Sequence, residues 1–417
     1  LTNNKRCVIG KRSSDMSVAV DQQIERIGAR SVDFVSAEEL QKKLSEAAAA
    51  ARPLRVKYGA DPSAPDLHLG HVVGLNKLRE CQDLGHTVVF IIGDFTAMIG
   101  DPSGKSKTRP QLSREQVMAN AGSYQKQVFK VLDPERTEIR FNSEWFGGMT
   151  FEEVIRLSSH VTVAQMLQRD DFAKRYGENQ PISLVEFLYP LVQAYDSVMV
   201  NADIELGGTD QLFNLLLGRE LQKIFKQPPQ TVLTLPLLEG TDGVQKMSKS
   251  LNNYVGVTES PQEQFGKIMS ISDDLMWRYY ELILCADAGQ IATQQQRHPR
   301  EAKDELARQI VARFHGPEAA AAASREFARI FSERENPADM PEWSLPSEQA
   351  ADGTCGLVAL LVQTGLAESN GAARRLILQG GVRLDDQKVT DPRAEIPLRD
   401  GQILRAGKRK FVRIRVA

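Results

Sequence analysis

Two short patterns in this 417-residue chain gather residues suited to handling phosphate. The first is Asp66-Leu67-His68-Leu69-Gly70-His71, which follows a stretch that reads as a strand and opens one that reads as a helix. A helix N-terminus offers unpaired N–H groups and the positive end of its dipole to anions. His68 and His71, at i and i+3, share a face, and Gly70, having no Cβ, lets a flat base lie against the backbone. Alone, the pattern fits equally a pair of surface histidines or metal ligands awaiting a carboxylate. The second is Lys246-Met247-Ser248-Lys249-Ser250, preceded by Gly240 and Gly243. Two lysines and two hydroxyls on such a loop can close over a triphosphate, although a solvated basic loop has the same composition.

Two further stretches supply polar groups. Gly100-Asp101-Pro102-Ser103-Gly104-Lys105-Ser106 is no Walker loop, because position 99, where that motif needs glycine, is Ile99. It reads as a flexible polar loop whose Lys105, Lys107 and Arg109 can swing toward phosphate. In the segment from Tyr189 to Asp196, residues Tyr189, Gln193 and Asp196 stand at i, i+4 and i+7 and form one stripe on a helix. Gly207-Gly208-Thr209-Asp210-Gln211 then makes a tight turn that can bring an acid close to a ribose.

These groups need a scaffold. Residues 32–51 read as a helix with Ser36 as N-cap and Glu39 three residues on. Residues 54–60 and 87–92 read as strands around a helix that starts at the histidine motif and runs to about Leu84, the βαβ signature of a parallel sheet. Further strands are expected at 138–141, 197–202 and 231–237. Residues 150–195 are mostly helical, an insertion into a doubly wound domain. Helices are expected at 261–269, 274–284, 299–314 and 317–331. A Pro-rich, acidic linker follows, and then a small α+β module with helices near 357–364 and 370–379 and short strands after them.

With 41% hydrophobic and 25% charged residues, and no apolar run of 18, membrane insertion is not expected. The four cysteines, Cys7, Cys81, Cys285 and Cys355, form no CxxC pair, which points to a reducing cytoplasm and to no protein-ligated metal. The net charge of −2 conceals an uneven distribution: from Ala367 to Ala417 twelve Lys or Arg stand against six Asp or Glu. That excess is a footprint for a polyanion. The fifteen residues before Met16 read either as an upstream extension or as residues foreign to the native chain, and are set apart from the fold.

The order of HxGH after a first strand and KMSKS after a last one resembles the class I aminoacyl-tRNA synthetases. The pattern YxxxQAYD followed by GGxDQ resembles the tyrosyl-tRNA synthetase family, as does the block IIGDFTAMIGDPSGK. The segments SNGAARRLILQGGVRLDDQKVTDP and LRDGQILRAGKRKFVRI resemble an S4 RNA-binding module, pointing to the bacterial branch. The resemblance covers residues 32–417.

It implies a Rossmann-like catalytic domain over 32–253, with its helical insertion at about 150–195. An α-helical anticodon-side domain would occupy 254–335, a linker 336–353 and an S4-like domain 354–417, with 1–31 an N-terminal extension. It implies that ATP, with Mg2+, activates L-tyrosine, and that the tyrosyl group passes to tRNA(Tyr) in a homodimeric enzyme. His68, Lys246 and Lys249 would stabilise the phosphates, and His71 would shape the nucleotide site. Asp61, Gly70, Lys105, Gly208, Asp210, Met247 and Ser248 would complete the ATP site. Asp101, Tyr189 and Gln193 would hold the ammonium and Asp196 the phenol, with Gln211, Lys57 and Tyr58 nearby. Arg374, Arg375, Lys408, Arg409 and Lys410 would meet RNA. Two positions depart from the family pattern: Lys57 stands where well-known members place a phenol-reading tyrosine, and Glu205 where glutamine is more familiar.

Overall fold

A computed structural model describes residues 18–62, 64–102, 113–331, 340–344, 354–385, 387–407 and 410–416. The chain divides into two compact units, Leu1–Ala320 and Ala321–Ala417.

The first unit opens with helix α1 (Val20–Gly28), strand β1 (Asp33–Val35) and helix α2 (Ala37–Ala49). Helix α1 falls within the expected N-terminal extension, yet its Ile27 is fully buried. The helix expected from residue 32 begins later: the Ser36 side chain accepts the Glu39 N–H at 3.2 Å, so the residues before this cap lie outside the helix and pair with a strand. Then come β2 (Arg55–Ala60), α3 (Leu69–Asp83), β3 (Thr87–Ile92), α4 (Thr96–Ile99), α5 (Arg114–Val128) and β4 (Thr137–Phe141). In β3 every residue after Thr87 is buried, as expected of a strand covered on both faces.

The expected insertion is helical: α6 (Ser143–Phe146), α7 (Phe151–Ser158), α8 (Val163–Met166), α9 (Asp170–Gly177) and α10 (Leu184–Met199). The strand expected at 197–202 does not form. Helix α10 continues through it until Asn201 adopts a left-handed φ of 49° and ends the turn, and the strand follows as β5 (Ile204–Gly208). The apolar run misled because Ser197 and Val198 are buried on a helix, and short apolar runs do not distinguish the two states. After α11 (Leu212–Ile224) and β6 (Thr231–Leu235), the unit is helical: α12 (Pro261–Met269), α13 (Asp273–Leu282), the unanticipated α14 (Ala288–Gln295), α15 (Pro299–His315) and α16 (Pro317–Phe331), within which the boundary between units falls.

The sheet order is β1-β6-β5-β2-β3-β4, all neighbours parallel except the antiparallel edge strand β1. Strand order therefore reverses between β2 and β5. In such sheets ligands bind beyond the carboxyl ends of the strands flanking the reversal.

The second unit contains β7 (Glu342–Ser344), β8 (Thr354–Gly356), α17 (Leu357–Gln363), α18 (Asn370–Leu378), β9 (Val382–Leu384), β10 (Gln387–Lys388), β11 (Glu395–Pro397), β12 (Ile403–Ala406) and β13 (Lys410–Arg415). Its sheet runs β10-β9-β12-β13-β7 over a core that includes Leu357, Leu360, Ile377 and Ile414. Strand β7 lies in the stretch expected as linker, and it pairs in parallel with β13.

Candidate active site

Five loops and helix starts meet the carboxyl edge of the sheet. Asp61 and the histidine motif follow β2, Asp101 follows β3 and α4, Asp210 and Gln211 follow β5, and the lysine motif follows β6.

His68 is the N-cap of α3, and its backbone N–H donates to His71 Nδ1 at 3.2 Å, leaving the His71 proton on Nε2. The two rings lie 3.9 Å apart. Burial holds the His68 imidazole well below the usual histidine range, with His71 and Lys249 adding to the effect, and burial brings His71 down to about 4. Both rings are therefore neutral near pH 7. His68 Nδ1 is buried without a hydrogen-bond partner. The motif is laced to the chain beyond the lysines: Leu69 N–H donates to the Val255 carbonyl at 2.9 Å and Val257 N–H to the Leu67 carbonyl at 3.0 Å. A Cβ on Gly70 would stand 3.0 Å from the His68 ring, so glycine here leaves the ring its place.

The lysine motif lies on a turn built around Asn253, which is 3% exposed. Asn253 Oδ1 accepts the Ser248 N–H at 2.8 Å, and its amide donates to Asp242 at 2.9 Å. A Cβ on Gly240 would collide with this asparagine. Met247 is buried, with its N–H on the Leu238 carbonyl, and the Ser248 and Ser250 hydroxyls are 2.8 Å apart. Lys246 Nζ pairs with Asp210 Oδ2 at 2.8 Å, and Lys249 Nζ reaches Asp66 Oδ2 at 3.5 Å. Burial lowers the Lys249 pKa, while Asp66 pulls it back up.

On the other side, hydrogen-bonded side chains lead to Tyr189 and Gln193 of α10. Tyr189 donates to Asp61 Oδ2 at 2.8 Å, and Asp61 Oδ1 accepts from Thr96 at 2.6 Å. Asn214 Nδ2 donates to Gln193 Oε1 (2.9 Å) and to Gln211 Oε1 (3.0 Å), and Gln211 in turn donates to Asp101 (3.1 Å). Arg169, from the insertion, donates to Asn214 at 3.4 Å. Gly208 leaves room for Asp210, whose carboxylate oxygen would lie 2.7 Å from a Cβ there. Asp196 is buried and accepts the Trp145 indole N–H at 2.9 Å. Burial pushes its pKa up to about 7, against the pull of Lys57 and Trp145.

Lys57 and Tyr58, placed together from the sequence, part company. Lys57 turns toward α10, where its ammonium meets Gln193 O at 3.0 Å and Ser197 Oγ at 2.7 Å, and Glu205 Oε1 at 2.7 Å. The Tyr58 ring instead lies against Gly74 of α3 and stacks on Phe90, its hydroxyl raised to about 12 by burial. Successive side chains of a strand alternate faces, so both cannot reach Asp196.

Thr96, Trp145, Arg169 and Asn214 escaped the sequence reading. Asn214 carried a signal, standing three residues after Gln211 at the start of a helix; the others reach the site only through tertiary packing. Lys105, Lys408 and Arg409 lie outside the described residues. In the second unit Arg374, Arg375 and Lys410 are exposed. Among the described residues there is no group of three His, Cys, Asp or Glu side chains that could hold a metal, and no helix is long and apolar enough to cross a membrane.

Comparison with known proteins adds an independent line. Residues 49–332 match the family of tRNA synthetases class I (W and Y), and residues 338–414 match the tyrosine--tRNA ligase SYY-like C-terminal domain. The chain is 53% identical over 406 residues to the tyrosine--tRNA ligase of Moorella thermoacetica, covering 96% of this chain and 97% of that one. It is 56% identical over 402 residues to that of Oleidesulfovibrio alaskensis, covering 95% and 99%. Among solved structures, a C-terminally truncated Aspergillus nidulans mitochondrial tyrosyl-tRNA synthetase superposes with a TM-score of 0.62 at 24% identity, over 77% of this chain and 95% of that one. The Archaeoglobus fulgidus tyrosyl-tRNA synthetase complexed with L-tyrosine gives 0.59 at 22%, over 73% and 100%. These two likenesses concern the fold.

Proposed function

The chain belongs to the class I tRNA synthetases, among the tyrosine--tRNA ligases, and on that premise we propose how its residues divide the work. The reaction joins L-tyrosine to ATP as tyrosyl-adenylate and passes the tyrosyl group to the 3′-terminal ribose of tRNA(Tyr).

In the first step a tyrosine carboxylate oxygen forms a bond to the α-phosphorus as the bond to the leaving pyrophosphate breaks; in the second a ribose hydroxyl displaces AMP. The carboxylate is already a nucleophile, so the protein positions reactants and meets the charge that grows on phosphate oxygens. Neutral His68 at the start of α3 donates its one ring N–H there, and His71 shapes the nucleotide cradle beside Gly70. Lys246 and Lys249 exchange Asp210 and Asp66 for phosphate oxygens, which frees Asp210 to accept the ribose hydroxyls beside Gly208. Mg2+ arrives with ATP as part of that substrate. The acceptors Asp101, Tyr189 and Gln193, ordered by Gln211 and Asn214, hold the ammonium, and the Asp196 carboxylate accepts the phenol. Asp61 fixes the Tyr189 hydroxyl.

The observation that carries this reading is the placement of Lys246 on Asp210 at 2.8 Å: the phosphate-binding cation and the ribose-binding acid occupy each other until nucleotide separates them. Arg374, Arg375 and Lys410 meet the RNA backbone. The exposed apolar residues Phe151 and Ile155, one turn apart on α7, support a twofold contact between two copies in the cytoplasm. Tyrosine-dependent exchange of pyrophosphate into ATP tests the reading: exchange with tyrosine and none with tryptophan is expected, and the reverse would overturn it.

A further inference from the structure

The two departures from the family pattern, Lys57 and Glu205, lie 148 residues apart in the chain and are register partners on β2 and β5. Both are buried, at 0% and 1% exposure, and joined at 2.7 Å. An ammonium carries three N–H groups, and three acceptors surround this one: Gln193 O, Ser197 Oγ and Glu205 Oε1. Lys57 therefore has no N–H to spend on a substrate phenol. Two of those acceptors bracket Asp196 on α10, one three residues before it and one directly after. The other oxygen of Glu205 accepts from Ser197 at 2.9 Å and from the Gln230 amide.

We propose that Lys57 is a positioning residue for tyrosine recognition: paired with Glu205, it pins the turn of α10 that carries Asp196, so that one carboxylate set through Lys57 reads the phenol in place of a second phenol-directed side chain. This rests on the reading of Asp196 as the phenol acceptor. Two buried charges that would each be costly alone compensate one another, the cation meeting the anion with hydrogen bonds on both. The field of Lys57 also opposes the effect of burial on Asp196, favouring the charged form that a phenol can donate to.

Steady-state pyrophosphate exchange on the full-length protein, with tyrosine and phenylalanine compared, tests this. The double variant Lys57→Met with Glu205→Gln removes the pin without stranding a buried charge. Its tyrosine KM should rise about tenfold with the ATP KM unchanged, and its preference for tyrosine over phenylalanine should fall by a similar factor. Ser197→Ala, which removes the hydrogen bonds to Lys57 and Glu205 but no charge, should raise the tyrosine KM by about threefold. A folded double variant with an unchanged tyrosine KM and preference would overturn the proposal; if the double variant does not fold, an unchanged tyrosine KM in Ser197→Ala would do so. Asp196→Ala separates the two readings. If it leaves the preference intact, the phenol is read elsewhere and both fail; if it collapses the preference while the Lys57 and Ser197 variants are silent, only the role of Lys57 fails.

Discussion

The buried pair joining β2 to β5 and the loop that carries the lysine motif use the same kind of contact for opposite ends. Between the strands, Lys57 and Glu205 are sealed from solvent at 2.7 Å, with further hydrogen bonds on both partners. On the loop, the side chains of Lys246 and Asp210 are 43% and 24% exposed, and Lys249 reaches Asp66 at 3.5 Å. A sealed pair cannot trade partners without leaving a bare charge in a low-dielectric interior, whereas a half-exposed one exchanges its carboxylate for phosphate at little cost. Burial thus separates the lysine that is fixed in place from those able to change partners.

The strongest way to break this contrast is Glu205→Gln, which strands the Lys57 ammonium. It should lower the unfolding free energy by about 3–5 kcal/mol, read as a lower urea midpoint; an unchanged midpoint would show that the pair is not the buried anchor described. Next comes Lys249→Ala. Losing a donor to the developing phosphate charge should raise the adenylation barrier by about 3 kcal/mol, roughly a hundredfold in single-turnover rate, with tyrosine affinity and stability nearly unchanged.

Acid sharpens the contrast at smaller scale. His68, His71 and His86 are all held below the usual histidine range by burial, so their share of stability is present above about pH 6.5 and is lost as pH falls below it, down to about 4 for His71 and His86. Asp196 works in the other direction: its raised pKa, about 7, favours the native state below about pH 4 and is lost as pH rises. Each group contributes up to about 1.4 kcal/mol per pH unit. Histidines held down by burial outnumber the carboxylates that burial pushes up, so unfolding should become easier as pH falls from 6.5 to 4, and Asp196→Asn should steepen that slope in denaturant titrations. The smallest effect belongs to Lys246→Ala, whose stability should stay within about 1 kcal/mol of the parent even though nucleotide turnover falls.

Much of this was legible from the chain. The helix after His68 starts where its motif stands, the apolar run at β3 is a buried strand, Ser36 caps α2, and the polar stripe Tyr189, Gln193 and Asp196 does lie on one helix. These are local matters: the period of apolar residues, the capping chemistry of a serine and the i, i+4 spacing are set by neighbours a few residues away. The misreadings had the same local origin. A buried helix end at 197–202 and a strand at 197–202 present the same apolar letters, and the segment 342–344 becomes β7 only because β13 offers it an edge.

By itself, then, the sequence determined which residue types stand at which helix starts and turns, and so the chemistry available to the site. Only the tertiary structure decided how they are paired. Whether Lys57 or Tyr58 faces Asp196 depends on the facing of β2, and no residue near position 57 reveals that Glu205 lies beside it. That contact exists because β2 and β5 are neighbours at the reversal of strand order, which brings a cation and an anion from distant parts of the chain into one water-free layer where neither is tolerable alone.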